Sequence, residues 1–157
     1  MKHLISVLIE NKPGALARVA GLFSRRGFNI DTLAVGPTAE ATISRMTIEL
    51  DAEEHPHEQV SKQLHKLVNV VKITEFKHGQ AVNRELMLFK VKSTAKNRAH
   101  IIEIADIFRA KIIDVAKDNV IIEATGTRSK LEAIEDLLKQ YGIVEMARTG
   151  KIALSRG

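Results

Sequence analysis

The chain has 157 residues, 45% of them hydrophobic, a formal net charge of +5 and no cysteine. That length fits one ordinary domain or two small ones, and the missing cysteine excludes disulfides, thiolate metal sites and cysteine nucleophiles. Aromatic residues are only 4% and the basic residues are dispersed, with Arg25-Arg26 the longest Lys/Arg run, so a stacking platform for nucleic acid is excluded and the core is aliphatic.

Met1-Lys2-His3 leads directly into Leu4–Ile9, a nearly continuous apolar run that reads as a strand covered on both sides. A run of six residues, five of them apolar, is too short for a signal-peptide core or a membrane span, so the expectation is a cytoplasmic protein with no membrane partner. The run stops at Glu10-Asn11-Lys12-Pro13-Gly14. Ala15, Leu16, Val19, Leu22 and Phe23 then mark one face of a helix expected from Pro13 to Arg26. Pro13 suits a first helical position, Gly14 lets a backbone or ligand come close, and Gly27 is placed to end the helix. Phe28–Val35 reads as a second strand, Gly36–Glu40 as a turn, and Ile43–Leu50 as a half-buried strand by its alternation. Glu53-Glu54-His55-Pro56 opens a second helix carrying Val60, Leu64, Leu67 and Val68. Asn69–Phe76 is a fourth strand. The order βαββαβ is that of a ferredoxin-like sandwich.

After Lys77–Gln80 the order repeats. Leu86–Val91 is a strand, and Ile101, Ile104, Ala105 and Phe108 mark a helix. Ile112–Val115 and Val120–Ala124 form a hairpin around Asp118-Asn119. Ser129-Lys130-Leu131-Glu132 has capping-box spacing before a helix with Leu131, Ile134 and Leu138, and Ile143–Ala147 closes the unit. The fold class is therefore α+β, two tandem ferredoxin-like units. A first domain is expected over residues 1–76, a linker over 77–83 and a C-terminal domain over 84–157.

Catalysis has little to stand on. Of six histidines only His55 and His57 are close, and a metal site needs three or four convergent ligands. Gly14, Gly21 and Gly27 do not make a dinucleotide fingerprint, Thr125–Lys130 lacks phosphate-loop spacing, and no nucleophile–base pair is visible. No catalytic residue and no metal ligand is assigned. The first turn remains. Asn11, Gly14 and the amides that follow could hold the carboxylate and amine of a small amino acid, because unpaired first-turn N–H groups and the helix dipole favour an anion. Asn29-Ile30 could form another wall. With a helix of about 13 residues the two segments lie about 20 Å apart, so a symmetric dimer, with each site shared between two chains, is expected.

Leu4–Leu16, with Glu10-Asn11-Lys12-Pro13-Gly14-Ala15-Leu16 at its end, resembles the opening of an ACT domain. The chain is similar, more narrowly, to the small regulatory subunits of acetohydroxyacid synthase (acetolactate synthase). Arg26-Gly27-Phe28-Asn29-Ile30 and Phe108-Arg109-Ala110-Lys111-Ile112-Ile113-Asp114-Val115 carry that likeness, as do Ile43–Thr47, Lys62–Val68, Arg84–Leu88 and Ala147–Gly150. The resemblance implies an ACT first domain and effector contacts at Asn11, Gly14 and Asn29, with backbone from Ala15, Leu16 and Ile30. It implies a homodimer bound to the large catalytic subunit, where thiamine diphosphate, Mg²⁺ and FAD reside, and no cofactor in this chain. It also implies activation of that subunit and feedback inhibition by valine or another branched-chain amino acid. A free-standing amino-acid sensor acting on another enzyme is the alternative.

Overall fold

The apolar run at the N-terminus becomes an inner strand, and the rest of the first unit assembles around it. The computed structural model describes residues 2–52 and 56–157, and of residues 56 and 57 the backbone alone. The chain divides into two compact units, Met1–Val82 with Lys151–Gly157, and Asn83–Gly150.

In the first unit β1 (Lys2–Glu10), α1 (Ala15–Arg25), β2 (Asn29–Pro37), β3 (Ile43–Asp51), α2 (Pro56–His65) and β4 (Val70–Phe76) follow one another. The sheet is antiparallel with order β2-β3-β1-β4, so β2 and β4 are its edges. Alternate residues of the inner strands, Ile5, Val7 and Ile9 with Met46, Ile48 and Leu50, pack against Val19, Leu22 and Phe23 of α1 and Val60 and Leu64 of α2. Each such side chain contributes about 1.5–3 kcal/mol when taken fully from water. The end of α1 shows how local sequence sets the next strand. Gly27 (φ +72°) donates its N–H to Ser24 C=O at 3.2 Å, and Phe28 donates to Phe23 C=O at 3.1 Å. The Phe28 ring meets the Phe23 ring edge-on at 6.4 Å. These two bonds and the apolar contact make a Schellman end, which requires a left-handed residue at Gly27. Asn29 follows as the first residue of β2.

The second unit contains most of β5 (Ala81–Lys92), with α3 (Arg98–Ile107), β6 (Lys111–Val115), β7 (Asn119–Gly126), α4 (Arg128–Leu138) and β8 (Ile143–Arg148). Its strand order, β6-β7-β5-β8, repeats that of the first unit. Met87, Phe89 and Val91 face Ile101, Ala105, Leu131, Ile134 and Leu138 in a second core.

The α+β class and the paired ferredoxin-like order agree with the reading of the sequence; several details do not. The first helix begins at Ala15, and Gly14 rather than a residue before Pro13 is its N-cap. The capping box is absent: α4 starts at Arg128 behind Thr127, whose side chain makes no capping bond, and Ser129 lies inside the helix. The second helix ends at His65, which leaves Val68 outside it and 91% exposed. The partition differs at two places. Strand β5 starts at Ala81, inside the expected linker, and Lys151–Gly157 groups with the first unit. An unforeseen strand, β9 (Ile152–Ser155), pairs with β5, and Arg156 N–H donates to Gln80 C=O at 2.8 Å. Four residues give too short an alternation to read as a strand.

Strand β3 is buried on both sides where one was expected to be solvated: Thr47 is 2% and Glu49 1% exposed. Lys151 Nζ lies 2.6 Å from Glu49 Oε2, so a cation from the returning segment meets the carboxylate. Arg45 Nη1 donates to Ser6 Oγ at 2.7 Å on the neighbouring strand.

Candidate effector site

Strand β1 delivers the chain into a tight turn. Lys12 N–H donates to Glu10 C=O at 2.9 Å, and Asn11 N–H donates to Thr42 C=O at 2.8 Å. The Asn11 side chain donates from Nδ2 to Ala41 C=O at 3.2 Å. Those acceptors belong to the β2–β3 connection, which is itself tied down. Thr38 N–H donates to Ile43 C=O at 2.9 Å, and Glu40 N–H donates to Thr38 Oγ1 at 3.2 Å. Asn11 is thus held by a loop roughly thirty residues away in sequence.

Gly14 has φ +83° and ψ −8° at the N-cap of α1. For a residue with a Cβ the left-handed region costs about 1–2 kcal/mol. A Cβ built there would meet nothing within 4 Å. Within one chain, then, glycine answers to the backbone angle, and the space beside it is open. Ala15 N–H donates back to Lys12 C=O at 3.2 Å, and Arg18 N–H to Gly14 C=O at 3.0 Å. Among the described residues the amides of Leu16 and Ala17 have no backbone acceptor outside the helix. They are the free donors of the first turn, at the positive end of the dipole, where an anion is stabilised. Ala15 is buried, whereas Leu16 is exposed.

The other half of the expected site lies at the far end of α1. With 11 residues the helix spans about 16 Å. Ile30 is half-buried and packs on the first core. Asn29 is exposed on edge strand β2, and its Nδ2 donates to Asp31 Oδ1 at 3.1 Å. The other oxygen of Asp31 is bonded by Lys2 Nζ, which also lies 3.4 Å from Asp51 Oδ2. The Asp31 hydrogen bond is the leading cause that raises the Lys2 pKa. The structure therefore brings Asn11, Gly14, Ala15 and Leu16 together, and Asn29 with Ile30, but one chain does not bring the two groups together. Sequence reasoning does not single out Lys2, Asp31 and Asp51. Its only signal is the i, i+2 spacing of Asn29 and Asp31 on a strand.

Other clusters supply less. His3 Nδ1 of β1 lies 3.4 Å from Glu75 Oε1 of β4. His55 and the side chain of His57 lie outside the described residues. Among the described residues no group of three or more His, Cys, Asp or Glu is placed to hold a metal ion, and no helix is long and apolar enough to cross a membrane.

Residues 5–72 match the family model described as an AHAS small subunit-like ACT domain, and residues 84–157 match the model for the small subunit of acetolactate synthase. The acetolactate synthase small subunit of Mycolicibacterium smegmatis is 54% identical over 155 residues, 99% of this chain and 91% of that protein. This chain belongs to the acetolactate synthase small-subunit family. The Mycobacterium bovis acetolactate synthase small subunit is likewise 54% identical over 155 residues, covering 99% of this chain and 92% of its own length. The crystal structure of the Thermotoga maritima acetolactate synthase small subunit superposes with a TM-score of 0.94 at 43% identity, covering all of this chain and 98% of that one. Both halves of the candidate site, Asn11–Leu16 and Asn29-Ile30, fall inside the matched ACT region of this small-subunit family.

Proposed function

We propose that this chain is a regulatory subunit of acetolactate synthase, working in the cytoplasm. It binds the large catalytic subunit, raises its activity and carries feedback inhibition by valine or a related branched-chain amino acid. The observation that carries this reading is full-length similarity to acetolactate synthase small subunits, with 54% identity over 99% of the chain. The reaction, which joins two pyruvates into 2-acetolactate, belongs to the large subunit with its thiamine diphosphate, Mg²⁺ and FAD. This chain contributes no catalytic side chain to it.

In this reading the effector carboxylate sits against the Leu16 and Ala17 amides beside Gly14 and Ala15, and the side chain of Asn11 closes the turn. Asn29 and Ile30 come from a second copy. Two observations support a shared site. The two segments are about 16 Å apart along α1, and Asn29 opens an edge strand that a second copy can approach. A homodimer related by a two-fold axis then carries two equivalent sites. The test is reconstitution. The purified chain is mixed with its large subunit, and acetolactate formation is followed with and without L-valine, L-leucine and L-isoleucine. The expected result is no turnover by the chain alone, a higher rate in the mixture and inhibition by at least one of the three. Turnover by the isolated chain, or a mixture no faster than the large subunit alone, overturns the reading.

A further inference from the structure

The side-chain amide of Asn29 has its orientation set by chemistry. An ionised carboxylate only accepts hydrogen bonds, so the 3.1 Å contact with Asp31 Oδ1 requires Nδ2 on that side. Asn11 is constrained in the same sense, because the Ala41 carbonyl also only accepts. Both asparagines thus have an amide N–H committed to the protein and a carbonyl oxygen left to receive a donor. The ligand group that suits two carbonyl oxygens is an ammonium, the complement of the carboxylate that suits the helix amides.

Asp31 is itself braced. The register of β2 on β3 shifts between Ile30 and Thr32, so Asp31 is the extra residue of a β-bulge. Bulges re-aim side chains next to functional sites. Lys2, from the first residue of β1, bonds Asp31 Oδ2 and reaches Asp51 of β3 at 3.4 Å. Three strands therefore hold the carboxylate that holds Asn29.

We propose that Asp31, braced by Lys2, is a positioning residue. It keeps the Asn29 carbonyl oxygen presented to the ammonium group of the effector, and so makes the site select amino acids over the corresponding hydroxy acids. This rests on the effector site proposed above.

The test is calorimetric titration of the full chain with L-valine and with (S)-2-hydroxy-3-methylbutanoate, its hydroxy analogue, with circular dichroism as the folding check. The wild-type chain is expected to prefer L-valine by about tenfold or more, the scale of a hydrogen bond to a charged group. Asp31→Ala is expected to remove about tenfold of L-valine affinity while leaving the hydroxy acid within about twofold, so that the preference collapses. Lys2→Met separates positioning from simple charge attraction. It leaves Asp31 and Asp51 with less compensation, so attraction alone would tighten L-valine binding, whereas loss of positioning weakens it. Lys2→Arg is expected to restore the preference. A folded Asp31→Ala that keeps the wild-type preference, or a Lys2→Met that binds L-valine more tightly, overturns the positioning role and leaves the site standing. A wild-type chain that binds none of L-valine, L-leucine and L-isoleucine overturns the site itself and this proposal with it.

Discussion

Gly14 answers to the backbone by its angle and, in the proposed site, would serve the ligand by the space beside it. Its φ of +83° is a demand of the turn, and the empty space around its absent Cβ is what an effector would use. Gly14→Asp is expected to abolish valine inhibition of the reconstituted complex and leave activation largely intact. The new carboxylate would stand at the helix N-terminus and repel that of the ligand. The left-handed angle adds a stability cost of about 1 kcal/mol, at the low end because Asp tolerates this region better than most residues. Gly14→Ala controls for strain. It carries a similar cost without the charge, and retains more inhibition. Dose–response curves for both variants, beside thermal unfolding, read the two effects separately. A folded Gly14→Asp complex inhibited at the wild-type valine concentration would remove the effector from this turn.

Among the elements, β3 departs furthest from its sequence pattern. Its alternation predicts one wet face, yet that face holds buried Glu49 against Lys151 at 2.6 Å. Removing the cation takes away one of the contacts that offset the burial of the Glu49 carboxylate, at a cost of up to about 3 kcal/mol. Lys151→Ala is therefore expected to lower the urea midpoint of the full chain clearly. The double variant Glu49→Gln with Lys151→Met is expected to be milder than Lys151→Ala, since it removes the buried carboxylate together with the cation. Equal losses in the two variants would show that the segment is held by β9 pairing and not by the ion pair. Helix α1, by contrast, follows its sequence closely. Val19, Leu22 and Phe23 are buried as their spacing requires, and the left-handed Gly27 ends it. Its start moves by two residues and its end by one, and Leu16 of the expected apolar face is exposed; the left-handed angle at Gly14 is not visible in an apolar stripe.

For the whole molecule the decisive question is whether the two halves of the site meet across copies of the chain. Mixing Asn29→Ala chains with Asn11→Ala chains is expected to rebuild intact sites. In a heterodimer one interface site receives both defects and the other receives neither. Valine binding is measured by calorimetry on heterodimers verified by mass spectrometry, against each variant alone. Recovery to about half the wild-type site number is the expected result, and no recovery in verified heterodimers rejects a shared site.

The order of elements as far as β8 and the make-up of the two cores were legible in the sequence, because burial follows period: two along strands such as β1, near 3.6 along α1. It also pointed to Asn11 and Gly14, because a polar turn between an apolar strand and an apolar helix stripe stands out, and to Asn29 at the start of the next strand through the family resemblance. The remaining contacts arise only in the folded chain. The Ala41 and Thr42 carbonyls that hold Asn11, the Asp31–Lys2 brace on Asn29 and the Glu49–Lys151 pair join residues 29 to 102 positions apart. No local periodicity encodes such contacts. They exist only once β1, β2, β3 and the C-terminal segment are paired, and pairing is what sets which polar groups lose water and must find each other.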